Sequence, residues 1–415
     1  MGKMTINQER LWNRLIEMSQ YGKQENGGVT RFSFTEEERK AKDKVISYMK
    51  EAGMKVREDA VGNLIGRKEG RIGDLPAVLV GSHIDSVPNG GIFDGNLGVL
   101  AGIEVIQSMT EKKIETDHPI EVIAFTDEEG SRFGFGMIGS RAIAGTLTPQ
   151  HLYNRDVEGV TIEQAMKKVG LDPTLISEAA KNQKSIKAYV ELHIEQGKVL
   201  ENHDLSVGVV SGIAGPLWTR WTLKGEAGHA GATPMNMRKD PLMAAAKIMM
   251  FIESETKKYE SAVATVGQLT VKPGGINVIP GEVEFSLDLR DISLEDRDQL
   301  EDSITSFAYR LCENEGIEIE IETLQRVDPV PCSQEIRTVI EDSLSKVGVP
   351  SLTLASGAGH DGMQFKDFCP IGMIFIRSKD GLSHNPAEWS SKEDCGIGTK
   401  VLYETILQLA KRIYK

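Results

Sequence analysis

The chain has 415 residues, 40% of them hydrophobic and 26% charged, with a formal net charge of -13. This is the composition of a folded protein with room for a large core and two domains, and no low-complexity tract argues for disorder. The acidic balance, without a Lys/Arg-rich stripe, disfavours nucleic acid and anionic membrane as partners and leaves small molecules as the default.

The amino-terminal stretch MGKMTINQERLWNRL turns amphipathic at once and lacks the apolar region of a signal peptide, and no later stretch approaches the length of a bilayer span. Cytoplasmic residence off the membrane is the expectation. The segment TEEERKAKDKVISYMKEAGM predicts a capped helix, with Thr35 as N-cap, acids in the first turn and Gly53 near its end. LPAVLVGSHID and PIEVIAFTDEEG are continuous apolar, β-branched runs, as expected of strands buried on both faces, and GVLAGIEVIQSM between them reads as a helix. IKAYVELHIEQG and CPIGMIFIRSKDG predict two more such strands, and a long helix is expected over 391–414. The frame is α/β: a three-layer domain around a mixed sheet.

Residues from about 213 to 327 break that rhythm with the order βαββαβ: strand PLWTRWTLKGE, helix DPLMAAAKIMMFIESET, strands AVATVGQLTV and GEVEFSLDLRD, a second helix, and strand IEIEIETLQRV. That is the pattern of a ferredoxin-like unit inserted into the α/β domain. The predicted division is residues 1–212 and 329–415 for the α/β domain and 213–328 for an inserted domain that can close over a site as a lid, with SGIAGP and VDPVP as hinges. Cys312, Cys332, Cys369 and Cys395 lack the spacing of a zinc knuckle or a disulfide framework. Neither a GxSxG elbow nor a Cys-His signature supports a covalent nucleophile.

Chemistry-bearing residues collect after the predicted buried strands: His83, Asp85 and Asp94 in GSHIDSVPNGGIFDG, then Asp127, Glu128 and Glu129 in TDEEG, then His193, then His384 in SHNPAEW. In open α/β sheets that edge binds ligands. One histidine there is ordinarily a satisfied structural residue, but three with three acidic elements point to metal. His83, Asp94, Glu129, His193 and His384 make five ligands, enough for two divalent ions if a carboxylate bridges, and Zn, Mn, Co or Ni all accept such donors. Asp85 reads either as a second-layer partner of an imidazole or as a loop brace. The two adjacent glutamates cannot project the same way from extended backbone, which suits a division between ligand and general base. In the insert, His229, Asn277 and Arg290 read together as anion recognition, an arginine fork with an amide donor suiting a carboxylate.

The motifs HIDSVPNGGIFDG, TDEEGSRF, ELHIEQG, GHAGATPM, GGINVIPG, LDLRD and SHNPAEW, in this order, resemble the zinc-dependent M20 peptidase-like superfamily, and within it the amidase, hydantoinase and carbamoylase branch. The resemblance implies a zinc-exopeptidase-like catalytic domain, Asp94 as bridging ligand, His83 and His193 on one metal, Glu129 and His384 on the other, and Glu128 as base. It implies that Gln196 contacts substrate, that His229, Asn277 and Arg290 reach the active site of the other subunit of a homodimer, and that Gly357, Ala358, Gly359 and His360 belong to a loop completing the pocket. The implied reaction is hydrolysis of N-carbamoyl-L-amino acids to L-amino acid, carbon dioxide and ammonia. Allantoate is the alternative substrate, since both pair a ureido group with a carboxylate, and a dinuclear dipeptidase or aminoacylase ranks third. The tryptophans of IAGPLWTRW favour the carbamoylases unless they are core.

Overall fold

The computed structural model describes residues 6–411. The first five residues of the amino-terminal segment and residues 412–414 of the expected terminal helix lie outside them. The chain divides into two compact units: unit 1 is the chain through Ser211 with Cys332–Leu354 and His360 onward, and unit 2 is Gly212–Pro331 with Ala355–Gly359.

Unit 1 opens with helices α1 (Gln8–Met18) and α2 (Glu36–Glu51). The Thr35 hydroxyl accepts the Glu38 N–H at 3.3 Å, Glu36, Glu37 and Glu38 fill the first turn, and Gly53 follows the helix at φ +82°, which is the capping chemistry that the sequence predicts. Next come β1 (Lys55–Glu58), β2 (Leu64–Lys68), β3 (Ala77–His83), α3 (Asn96–Glu111), β4 (Ile120–Phe125), α4 (Ile138–Ala144), α5 (Ile162–Lys168), β5 (Ile186–Ile194), α6 (Val199–Asn202) and β6 (Val207–Ile213). Unit 2 supplies β7 (Gly215–Lys224), β8 (Gly228–His229), α7 (Pro241–Thr256), β9 (Val263–Thr265), β10 (Leu269–Lys272), β11 (Val278–Ile279), β12 (Glu282–Asp291), α8 (Leu294–Glu315), β13 (Glu318–Arg326) and β14 (Val330–Pro331). The chain returns through α9 (Gln334–Val347), β15 (Thr353–Ser356), β16 (Ile371–Ile376) and α10 (Lys392–Leu409).

The large sheet runs β1-β2-β4-β3-β5-β16-β6. Its four central strands are parallel and its flanks antiparallel, so the sheet is mixed. Every residue of β3, β4 and β16 is buried, the reason their sequences are apolar without alternation. One face packs Val78, Val80, Val122, Val190 and Ile374 into a core shared with α1, α2, α3, α9 and α10. The other carries an aromatic cluster of Phe125, Tyr189 and Phe365. Layers on both faces make three in all. Each large side chain so buried stabilises by roughly 1.5–3 kcal/mol, so the sheet dictates where its loops emerge. His83 is level with Phe125, and His193 with Phe375, so the loops after these parallel strands leave from one edge.

In unit 2 the strand order is β10-β12-β7-β13, antiparallel throughout, the ferredoxin-like arrangement expected of βαββαβ. Along β12, Val283, Phe285, Leu287 and Leu289 enter the core with α7 and α8, while Glu284, Ser286, Asp288 and Arg290 take the opposite face. The expected single strand AVATVGQLTV is two, β9 and β10, both on β12. Their registers on β12 differ by one residue, with Gly267 in the break, so a β-bulge interrupts the run. The two tryptophans separate by strand parity: Trp221 is 1% exposed and stacks on Phe285 at 5.5 Å, whereas Trp218 is 41% exposed. All four cysteines are free. Among the described residues no helix is long and apolar enough to cross a membrane.

Candidate metal centre

Asp94 stands between two groups of potential ligands. Its Oδ1 lies 3.1 Å from His193 Nε2 and 3.5 Å from His83 Nε2, and its Oδ2 lies 3.4 Å from His384 Nε2. Glu129 Oε2 is 3.6 Å from the same nitrogen of His384, and Glu128 Oε2 is 3.8 Å from His83 Nε2. One ligand atom from each of His83, Asp94 and His193 lies within 4.8 Å of the others, and the same holds for Asp94, Glu129 and His384. All five residues of the predicted ligand set thus converge on one carboxylate.

Local backbone chemistry sets up this convergence. Gly95 takes φ +65°, and a Cβ there would fall 2.5 Å from the His83 ring, so only glycine lets the chain pass directly over the imidazole. Asp85 braces the TDEEG turn: its carboxylate accepts the N–H of Glu128 at 3.2 Å and of Glu129 at 3.1 Å. Of the two readings of Asp85, the loop brace is thus drawn with good geometry, and its Oδ1 is also 3.5 Å from His83 Nδ1.

The histidine tautomers point the same way. His83 Nδ1 is 3.2 Å from the Asp85 carbonyl oxygen, and His193 Nδ1 is 2.9 Å from that of Ile194. A carbonyl only accepts, so each Nδ1 carries a hydrogen, and each Nε2, turned towards Asp94, is the nitrogen that would bind a metal once it has given up its proton. Burial alone would lower the pKa of both rings, yet Asp85 and Asp94 raise that of His83, and Asp94 raises that of His193. His384, hydrogen-bonded to Asp94, is raised to about 9. Burial would lift Asp94, but His193 and its neighbours hold it well below the usual carboxylate range. Burial and neighbouring carboxylates push Glu128 well up and Glu129 to about 7.

Glu129 Oε1 and Gln196 Oε1 are buried without a hydrogen-bond partner. A buried carboxylate oxygen with no donor is costly, and so many acids in one place repel. Divalent cations remove both penalties, and the carboxylate and imidazole donors suit them. The residues therefore fit a pair of divalent ions.

Gln196, with φ +58°, donates through Nε2 to Asp94 Oδ2 at 2.8 Å. His360, expected in the substrate loop, is 2% exposed and its ring sits 4.5 Å from that of His193, so it backs that imidazole rather than facing solvent. Three acids escaped the sequence reading. Glu388 accepts the Phe93 and Asp94 N–H groups at 3.0 and 3.1 Å and the Ser383 hydroxyl at 2.9 Å, anchoring the Asp94 loop. Glu191 accepts from Ser82 and Tyr189 and forms a buried group with His193 and His360. Asp361 is fully buried. Their only signal was proximity in sequence to a site histidine, which a solvated acid shares.

In unit 2, His229 ends β8 and Asn277 immediately precedes β11, the Ala230 N–H donating to the Asn277 carbonyl at 3.0 Å; both residues are exposed. His229 Nδ1 accepts the N–H groups of Gly231 and Ala232 at 3.0 and 3.2 Å. The neutral ring therefore carries its hydrogen on Nε2, an outward hydrogen-bond donor. Arg290 meets Asp288 and the Gly357 carbonyl. Gly357 and Gly359 are exposed, and Ala358 accepts from the Ser356 hydroxyl.

Residues 79–408 match the model of peptidase family M20/M25/M40, and the chain belongs to that family. It is 58% identical over 406 residues to the N-carbamoyl-L-amino acid amidohydrolase of Geobacillus stearothermophilus, covering 98% of this chain and 99% of that protein. It is 35% identical to the allantoate amidohydrolase of Bacillus subtilis, with 95% of each covered. The crystal structure of an amidase of the hydantoinase/carbamoylase family from Burkholderia multivorans superposes with a TM-score of 0.93 at 35% identity, over 99% of both chains.

Proposed function

We propose that the protein hydrolyses N-carbamoyl-L-amino acids, releasing L-amino acid, carbon dioxide and ammonia with the help of two divalent metal ions. The observation that carries this reading is Asp94, whose two carboxylate oxygens face separate histidine sets; the likeness to the Geobacillus amidohydrolase supplies the substrate class. His83, Asp94 and His193 would hold one ion, and Asp94, Glu129 and His384 the other. When bound, such a pair polarises a carbonyl and lowers the pKa of water.

The chain's own groups do the rest. Glu128 takes a proton from the attacking water as it adds to the carbamoyl carbon, and returns it to the departing nitrogen as one C–N bond breaks; the carbamic acid so formed then releases carbon dioxide as the second C–N bond breaks. His229 donates its Nε2–H to the oxygen on which negative charge develops. Arg290 and Asn277 bind the substrate carboxylate, Gln196 contacts the substrate beside Asp94, and Gly357, Ala358 and Gly359 line the pocket. In this reading the protein is a homodimer and His229, Asn277 and Arg290 of one subunit serve the site of the other.

The test offers the metal-loaded protein N-carbamoyl-L-amino acids, allantoate, N-acetyl-amino acids and dipeptides. Free L-amino acid from the first group alone is the expected result. The similarity to an allantoate amidohydrolase makes allantoate the second reading; turnover of allantoate alone would replace the first.

A further inference from the structure

Arg290 is not a free cation. Its Nε donates to Asp288 Oδ1 at 2.9 Å and its Nη2 to Asp288 Oδ2 at 2.8 Å, a side-on bidentate pair, while Nη1 donates to the Gly357 carbonyl at 2.7 Å. Asp288 and Arg290 are two apart on β12 and so share the face turned away from the unit 2 core. Their side chains are 32% and 26% exposed. The other arginine on this face, Arg220, pairs elsewhere, with Glu322 at 2.8 Å.

A guanidinium has five N–H groups in a rigid plane. Asp288 takes one on Nε and one on Nη2, and Gly357 takes one on Nη1. One N–H on each Nη remains. We infer that Asp288 is a positioning residue for the substrate carboxylate: it holds the inner edge of Arg290, so that the outer Nη1/Nη2 edge is presented as a two-donor fork in one fixed orientation. Without it the long side chain would have to be ordered at each binding event, at a cost in affinity. The plane set by Asp288 and Gly357 also fixes where the α-carboxylate sits, which makes this pair a determinant of specificity for carboxylate over carboxamide.

The inference rests on the reading of Arg290 as the carboxylate clamp, and the experiment separates the two. Steady-state kinetics of the metal-loaded protein are compared for an N-carbamoyl-L-amino acid and its C-terminal carboxamide, using Asp288→Asn, Asp288→Glu and Arg290→Lys. Arg290→Lys is expected to lower kcat/KM for the carboxylate substrate, because lysine has no planar fork. Asp288→Asn keeps the side chain's size and is expected to raise KM for the carboxylate by about 10- to 100-fold, the worth of a hydrogen bond to a charged group. It should leave the carboxamide within about threefold, and Asp288→Glu should recover part of the loss. Equal damage to both substrates by Asp288→Asn would make Asp288 merely structural, and tighter carboxylate binding would make it a competitor for the fork; either overturns the inference while the Arg290 clamp stands. An Arg290→Lys protein with undiminished preference for carboxylate would overturn the clamp and the inference with it.

Discussion

The acidic centre of unit 1 and the exposed donor groups of unit 2 are built on opposite principles. In unit 1 the reactive side chains are mostly withdrawn from water and the backbone that carries them is pinned by buried carboxylates, as Asp85 accepts the Glu128 and Glu129 N–H groups and Glu388 that of Asp94. In unit 2 the corresponding groups face solvent and are steadied from behind, His229 by two backbone N–H groups and Arg290 by Asp288 and Gly357. A buried charge cluster must be satisfied within its own fold, and cations complete it. An exposed donor set can wait for its ligand, because water satisfies it meanwhile. On the proposed reading, unit 1 supplies the chemistry and unit 2 the recognition.

The largest expected effect is on Asp94, the group common to both ligand sets. Asp94→Asn should abolish turnover and lower the metal content measured by elemental analysis, whereas substitutions in unit 2 should leave metal content alone. Full activity in a metal-poor Asp94→Asn protein would break the comparison at its centre.

Glu128→Gln should lower kcat by about 10²- to 10⁴-fold through loss of proton transfer, with the metal content retained. Glu129→Gln should instead weaken binding of one ion. The reverse pattern would show that base and ligand are exchanged.

Glu388→Ala removes the acceptor for the N–H groups of Phe93 and Asp94 and should weaken metal affinity by about 10- to 100-fold, the usual effect of losing an outer partner of a ligand. Glu388→Gln keeps an acceptor oxygen and should cost much less, and metal titration distinguishes the two. Equal effects would mean that charge, not loop anchoring, is what Glu388 provides.

The smallest signal sharpens the boundary between chemistry and recognition. Mixing a His83→Ala chain with a His229→Ala chain should restore about a quarter of wild-type activity if sites are shared across a twofold homodimer, since half the dimers are mixed and each has one intact site. Mixed dimers that demonstrably form but stay inactive would confine His229 to its own subunit.

Much of this was legible in the chain. The capped helix at Thr35, the fully buried strands β3, β4 and β16, and the βαββαβ insert follow from periodicity, capping residues and runs of β-branched side chains, all of them short-range signals. The five potential ligands were legible because they follow predicted parallel strands, whose carboxyl ends share an edge. The bulge at Gly267 was not, since a strand with one extra residue reads like a strand without it. Nor was the burial of His360, which depends on the His193 ring arriving from another strand.

Which segments are buried, what order of elements the insert takes, and which residue types reach the edge of the sheet can all be read from the chain alone, because each is written in neighbouring residues. Which acids brace the candidate ligands and which are solvated depends instead on the folded chain. Glu388 anchors Phe93 from 295 residues away in the chain, and the Gly357 carbonyl reaches the Arg290 guanidinium from 67 residues away. Such pairings depend on how distant loops are brought together by packing of the strands beneath them, and local sequence carries no trace of that.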